Sequence, residues 1–399
     1  MKKRRLITIL ACSLLLAGCG QTSSGSASVS GGVGVSSSAS SDEVSPIIVT
    51  DMIGRAVTVT PGSYSKVVCI GAGALRMYSY IGDVSLLAGV EDIDNTSLES
   101  RPKMFDGVAR PYLIANEATF RTLPSCGVGG PQAQTAEAEK ILSCNPDIVV
   151  SEYEDLDKEN ALQEQLGVPV ITLRYGPKGV WDDAVADSFT MLGKVFARES
   201  KATELNDFID GCKNDISSRT ANVAAEDKES VYIGGLGNWG TTTHLMTAKN
   251  YEPFNVAHIK NVCDGDGEQG NGIHAIEEEK FVSLGESMDV MILDAAAIKN
   301  IKGNSEYLTD LEGTKAWKDD KIYLQMAYNA YYTNLEMALV NTYYGGKVVY
   351  PDLFEDVDMD EITNRVTKSF LGKELAPEIK GYKFSYGGYQ HIDLGTFFD

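Results

Sequence analysis

Positive charge is scarce in this 399-residue chain: 35 Lys and Arg stand against 56 Asp and Glu, for a net charge of −21. Four of the positive charges, Lys2, Lys3, Arg4 and Arg5, crowd the N-terminus, which leaves −25 on the remainder. A surface of that sign repels phosphate backbones and anionic headgroups, so nucleic acid and basic-patch membrane docking are excluded. Histidine is rarer still: His244, His258, His274 and His391 show no HxH or HxxxH spacing and form no metal site visible in sequence. No two cysteines show CxxC or CxxH spacing, and there is no GxSxG, P-loop or HExxH, so hydrolysis and phosphoryl transfer have no carrier. The apolar run Leu6 to Leu16 is too short to cross a bilayer as a permanent helix.

What is present begins with that run. A basic start followed by about ten apolar residues is an export signal. It ends in Leu16-Ala17-Gly18-Cys19, which resembles a bacterial lipobox, with cleavage after residue 18 and lipid on Cys19. From Gln21 to Ser45, 11 of 25 residues are Ser and most others Gly, Ala or Val, a composition that buries no core and serves as a tether. These segments, 1–18 and 19–45, place the body on the extracytoplasmic side of the cell membrane, held by lipid. Five cysteines remain in the body, Cys69, Cys126, Cys144, Cys212 and Cys263, an odd number that permits two disulfides at most. Cys69 and Cys144 lie in apolar surroundings that suit buried free thiols.

The body alternates short apolar strands with helical stretches. Ile47 to Asp51 and Ala56 to Thr60 read as a hairpin, and strands are expected at Lys66–Ile70, Leu86–Val90, Asp147–Ser151 and Val168–Leu173. From Val180 to about Ser218 the apolar spacing is helical, after which strands resume at Val231–Ile233, Val290–Leu293 and Ile322–Leu324. The chain is expected to finish in helix between Thr333 and Leu371. This pattern predicts an α/β protein with two βα lobes, 46–178 and 225–399, bridged by a helical segment, 179–224. An internal echo supports two related halves: Glu139-Lys140-Ile141-Leu142-Ser143 before Asp147-Ile148-Val149-Val150 recurs as Glu279-Lys280-Phe281-Val282-Ser283 before Asp289-Val290-Met291-Ile292.

Two motifs are rejected on chemistry. Gly235-Leu236-Gly237-Asn238-Trp239-Gly240 spells GxGxxG after a strand, but Thr241-Thr242-Thr243 is a poor helix start for holding pyrophosphate. Asp264 to Glu268 is similar to a calcium loop, yet Gln269 stands where that loop needs glycine. The polar and aromatic residues at predicted strand ends remain, where open α/β sheets bind ligands. They are Gly73 and Arg76 after the first body strand, Glu152 and Tyr153, Arg174 and Tyr175, then Asn238 and Trp239, Tyr328 and Tyr331 in the second half.

Thr50-Asp51-Met52-Ile53-Gly54-Arg55-Ala56-Val57, the Glu139 to Val150 unit and Gly346 to Phe354 are similar, in that order, to motifs of the helical-backbone (class III) periplasmic binding proteins. These lipoproteins receive ferric siderophores, haem or corrinoids for ABC importers. The resemblance implies two Rossmann-like lobes joined by a long rigid helix with a ligand cleft between them, no enzymatic activity and no cofactor beyond a metal-chelate ligand. It also implies a monomer that docks on a permease, and through it the ATPase, by a glutamate on each lobe; Glu139 and Glu279 match. The tyrosine-rich stretch from Ala330 suits a planar chelate, while Arg76 and Arg174 suit a carboxylate or oxyanion. A molybdate or tungstate carrier of the same fold therefore stays open, as does a metallocluster enzyme on a related scaffold. The inserts Asp92 to Arg121 and Tyr251 to Gly272 match nothing in the family pattern.

Overall fold

In the computed structural model of the protein the residues described are 44–130, 133–237, 241–264 and 272–398. The export signal, Cys19, all but the last two tether residues, and Asn238 and Trp239 lie outside them. The chain opens with an antiparallel hairpin, β1 (Ile47–Thr50) and β2 (Ala56–Val59). Gly54 turns it at φ +85°, which a glycine adopts without strain. The Asp51 carboxylate accepts the backbone N–H groups of Ile53 (3.2 Å) and Arg55 (2.9 Å), and the Arg55 guanidinium at 2.7 Å. Arg55 then reaches the carbonyl of Val170 (2.7 Å), so the buried pair clasps the hairpin to the edge of the first sheet.

That sheet is built by β3 (Val67–Ile70), α1 (Ala74–Ile81), β4 (Leu87–Glu91), α2 (Pro111–Phe120), β5 (Ser125–Gly127), α3 (Ala138–Ser143), β6 (Ile148–Ser151), α4 (Leu156–Leu166) and β7 (Val170–Thr172). Its strands are parallel in the order β5-β4-β3-β6-β7. Every residue of β3, β6 and β7 is buried, as expected for strands covered on both faces.

The helical segment is two helices rather than one. α5 (Asp183–Val195) ends in a break where Ala197 takes φ +51°, and α6 (Glu199–Thr220) follows for 22 residues, about 33 Å at 1.5 Å per residue. α6 buries Ala202, Leu205, Ile209, Cys212 and Ile216 along one stripe and is the bridge between the lobes.

The second lobe runs β8 (Ser230–Gly234), β9 (Met246–Lys249), α7 (Glu252–Val256), β10 (Lys260–Asn261), β11 (Gly272–Ala275), α8 (Glu278–Leu284), β12 (Val290–Asp294), α9 (Ala295–Lys302), α10 (Ser305–Glu312), α11 (Lys315–Lys318) and β13 (Ile322–Gln325). It closes with α12 (Leu335–Val349), α13 (Met359–Leu371), α14 (Ala376–Lys380) and β14 (Gln390–His391). The sheet order is β10-β8-β12-β13-β14, parallel except for β14, while β9 and β11 form a separate antiparallel ribbon. The chain thus returns to the sheet after α13 instead of finishing in helix. After β8 the described residues pass to the ribbon with no helix, and Gly235 exists to let the backbone approach α9: a Cβ there would sit 2.7 Å from that of Ala297. This is not the geometry that holds a pyrophosphate.

The internal echo is structural. Asp147 accepts the N–H groups of Ser65 (2.7 Å) and Lys66 (3.0 Å) just before β3, and Asp289 accepts the N–H of Ser230 (2.8 Å) at the start of β8. In each lobe the aspartate before one strand pins the start of its neighbour. The two lobes share one continuous core, crossed for example by Tyr80 of α1 against Phe370 of α13 at 4.9 Å between ring centres. All five body cysteines are buried free thiols.

Candidate functional site

Between the lobes lies a cleft of about 420 Å³. The first lobe lines it with Ala72, Phe105, Gly176 and Pro177, the start of the bridging segment with Gly179, and the second lobe with residues 248–252, Gly272, Ile273, Tyr328, Asn329 and Tyr331 to Thr333. Most of its aromatic wall belongs to one loop, residues 326–334, which links β13 to α12. Tyr328 meets Tyr251 edge-on at 5.2 Å, and Tyr331 faces Phe105 at 5.8 Å. Tyr332 stands 40% exposed in the cleft, its ring 4.4 Å from that of the buried Tyr175.

The charged anchors of this loop sit at strand ends or at a helix start. Asp294, last of β12, accepts the Tyr328 N–H at 2.8 Å, and Glu91, last of β4, accepts the Tyr331 hydroxyl at 2.7 Å. Burial raises both carboxyls to about 7. Gly130 donates its N–H to the same Tyr331 oxygen at 3.0 Å. Arg76, fully buried in α1, donates to the carbonyls of Ala330 (2.6 Å), Tyr331 (3.1 Å) and Thr333 (2.7 Å) and to Asn334 Oδ1 (2.8 Å). Its guanidinium is therefore turned to the opposite lobe's backbone and not toward a ligand.

The other strand-end residues separate into three groups. Tyr328 and Tyr331 line the cleft. Gly73 and Tyr175 stand behind it: Gly73 begins α1 at φ +93°, its carbonyl accepts the Tyr175 hydroxyl at 3.1 Å, and a Cβ there would lie 2.3 Å from that oxygen. Only glycine lets Tyr175 come close enough to back Tyr332. Glu152 is nearly buried beside Gly71, and desolvation with help from Glu154 raises its carboxyl to about 9. Arg174 points outward, half exposed and paired with Glu154 at 2.8 Å. Tyr153 donates to the carbonyl of Ala133 at 3.0 Å and borders a separate 180 Å³ cavity with Lys158 and Gln165.

Sequence reasoning placed Tyr332 in the tyrosine-rich stretch after the last parallel strand, and the cleft includes it; Phe105, Tyr251 and Lys249 were not assigned to the site. Phe105 and Tyr251 come from the two inserts that matched no pattern, so unassigned insertions next to strand ends were the available signal. Among the described residues no group of three or more His, Cys, Asp or Glu is placed to hold a metal ion, and no helix is long and apolar enough to cross a membrane.

Glu139 and Glu279 are exposed in the first turns of α3 and α8. Short turns lead these helices back into β6 and β12, so each begins toward the edge where those parallel strands end, the edge that forms the cleft. Three residues on, Leu142 and Val282 are also exposed, at 45% and 60%, while Ile141 and Phe281 are buried.

The sequence profile described as "Periplasmic binding protein" matches residues 67–324, which include the first sheet, the bridge and the parallel strands of the second sheet up to Leu324. The chain belongs to the periplasmic binding protein family. Its members are extracytoplasmic substrate-binding components of ABC importers and not enzymes. The structure is similar to a periplasmic solute binding protein from Veillonella parvula (TM-score 0.63, 16% identity, 86% of this chain and 97% of that one). It is also similar to the molybdate periplasmic binding protein MolA of Haemophilus influenzae, solved with molybdate (0.62, 16%, 82% and 98%), and to the TroA-like protein FepB of Veillonella parvula (0.59, 17%, 87% and 100%). At such identities the likeness is one of fold. No curated protein matches the chain by sequence.

Proposed function

We propose that this protein captures a metal chelate, a ferric siderophore, haem or corrinoid, in the interlobe cleft and delivers it to its permease, with the ATPase engaged through that permease. The observation that carries this reading is the aromatic lining of the cleft by Phe105, Tyr251, Tyr328, Tyr331 and Tyr332. A volume of 420 Å³ lies in the range of small-molecule sites, roughly 300–1,000 Å³. A bare tetrahedral oxyanion would fill a small part of it. The arginines that suited an oxyanion are committed elsewhere, Arg76 to backbone carbonyls and Arg174 to Glu154. Flat rings with polar edges stack on a planar or aryl-bearing ligand and bury area without demanding a counter-charge.

Docking through Glu139 and Glu279 is supported by their matching exposure and the exposed Leu142 and Val282 beside them. Anchoring by lipid on Cys19, on a monomeric body, completes the reading; intact-mass analysis of the membrane form checks it by a diacylglycerol adduct on the mature N-terminus.

The test of the ligand class is a titration of the soluble body with haemin, cobalamin, a ferric catecholate and molybdate, followed by absorbance and thermal midpoint. One of the first three is expected to bind and raise the midpoint. Stabilisation by molybdate alone overturns the chelate reading.

A further inference from the structure

Tyr331 and Tyr332 occupy φ +52° and +72° in succession, a left-handed backbone that bulky side chains rarely adopt. Such residues persist where their surroundings over-determine them. Glu91, Gly130 and Asp294 hold the loop at its tyrosines, and one further side chain gathers its backbone carbonyls. In a strand or a right-handed helix, carbonyls of neighbouring residues do not converge on a point; the left-handed turn swings those of Ala330, Tyr331 and Thr333 onto the Arg76 guanidinium. Arg76 comes from the other lobe and stands over the Tyr112 ring at 4.8 Å. Nearby is the buried Glu336, whose carboxyl burial pushes up and the Arg76 charge pulls back down, and which accepts the Tyr80 hydroxyl. Asn334, which accepts from Arg76, donates to the carbonyls of Ala109 and Ala327, one from each lobe.

We infer that Arg76 is a positioning residue: it imposes the left-handed turn on the 328–334 loop from across the cleft, and so sets both the tyrosine wall that meets the ligand and the fixed spacing of the lobes. The ligand part rests on the cleft being the ligand site; the latch itself does not. The arrangement also means that the lobes cannot part without exposing the converging carbonyls and leaving Glu336 uncompensated, so ligand enters a preformed cleft.

The experiment compares the soluble body with Arg76→Lys and with the charge-balanced pair Arg76→Met/Glu336→Gln, which leaves no lone buried charge. Native-state hydrogen exchange is read at the amides of Tyr328, Ala330 and Asn334, each hydrogen-bonded in the latched loop. Their exchange is expected to rise about tenfold in the lysine variant and further in the pair, while amides of β6 and β12 keep their protection. Unchanged loop exchange overturns the proposal. A uniform rise through both lobes also overturns it, because that is lost global stability and not a released latch. In the same samples haemin is expected to bind about tenfold more weakly to Arg76→Lys than to the parent, a difference of about 1.4 kcal/mol. A loosened loop with unchanged haemin affinity overturns the positioning role, whereas a parent that binds no haemin counts against a haem ligand and leaves the exchange result to decide the latch.

Discussion

The two lobes are alike where they face outward beside the cleft and unlike where they face each other. α3 and α8 present the same sequence of an exposed glutamate, a buried apolar residue and an exposed apolar residue, and the aspartates that follow pin neighbouring strands in the same way. The cleft walls share nothing of that kind. The first lobe supplies small residues, buried hooks and a single ring (Ala72, Gly176, Arg76, Glu91 and Phe105), and the second supplies most of the rings, three of them on a strained loop. The difference separates two demands: a partner that offers the same contact twice favours two equal patches, whereas one ligand in one cleft favours complementary walls.

The comparison is broken most severely at the clasp that closes the first lobe. Asp51→Ala strands Arg55 without its carboxylate in a buried site, and a loss of about 3–5 kcal/mol is expected, read as early unfolding of the β6–β7 edge in denaturant-dependent hydrogen exchange. Equal loosening of β12 and β13 would mean that the lobes do not unfold separately.

Next in size is the docking pair. Glu139→Lys with Glu279→Lys is expected to reduce substrate uptake by about a hundredfold, or about 2.7 kcal/mol, with the thermal midpoint unchanged because both side chains are exposed. Each single reversal is expected to cost about half that free energy; a strongly unequal pair of effects would end the claim of equivalent patches.

On the unlike surface, Tyr332→Ala removes a ring that is 40% exposed and tilted against Tyr175, and ligand affinity is expected to fall about tenfold at unchanged stability. A large loss of stability instead would make Tyr332 a packing residue.

The smallest effect concerns pH. Glu91 holds its proton to about pH 7 in the folded protein, while the unfolded chain releases it in the ordinary carboxylate range near 4.5. Between these values the native state binds the extra proton, so stability falls as pH rises through the window. Glu91→Gln is expected to flatten this slope in urea titrations from pH 4.5 to 7.5; an unaltered slope would leave Asp294 and Glu159, also raised to about 7, and Glu152, raised to about 9, to account for it.

Much of the fold was legible because short apolar strands and amphipathic helices report their own burial. Even so, the antiparallel ribbon β9–β11 and the returning strand β14 escaped, since Met246–Lys249, Gly272–Ala275 and Gln390–His391 carry too little periodicity to announce themselves. The site was legible in part. Tyr328 and Tyr331 were found at a strand end, but Arg174 and Tyr153, in equally suggestive places, turn away from the cleft, and Arg76 is spent within the protein.

The local pattern of side chains by itself determined the α/β class, the two halves, the helical bridge and the repeated glutamates, because each depends on neighbours within a few residues. Tertiary structure alone decided what each strand-end residue does. A guanidinium can bind a ligand or a backbone with the same hydrogen bonds, and which it meets depends on a loop some 250 residues away that only the packing of the two lobes brings within 2.6 Å.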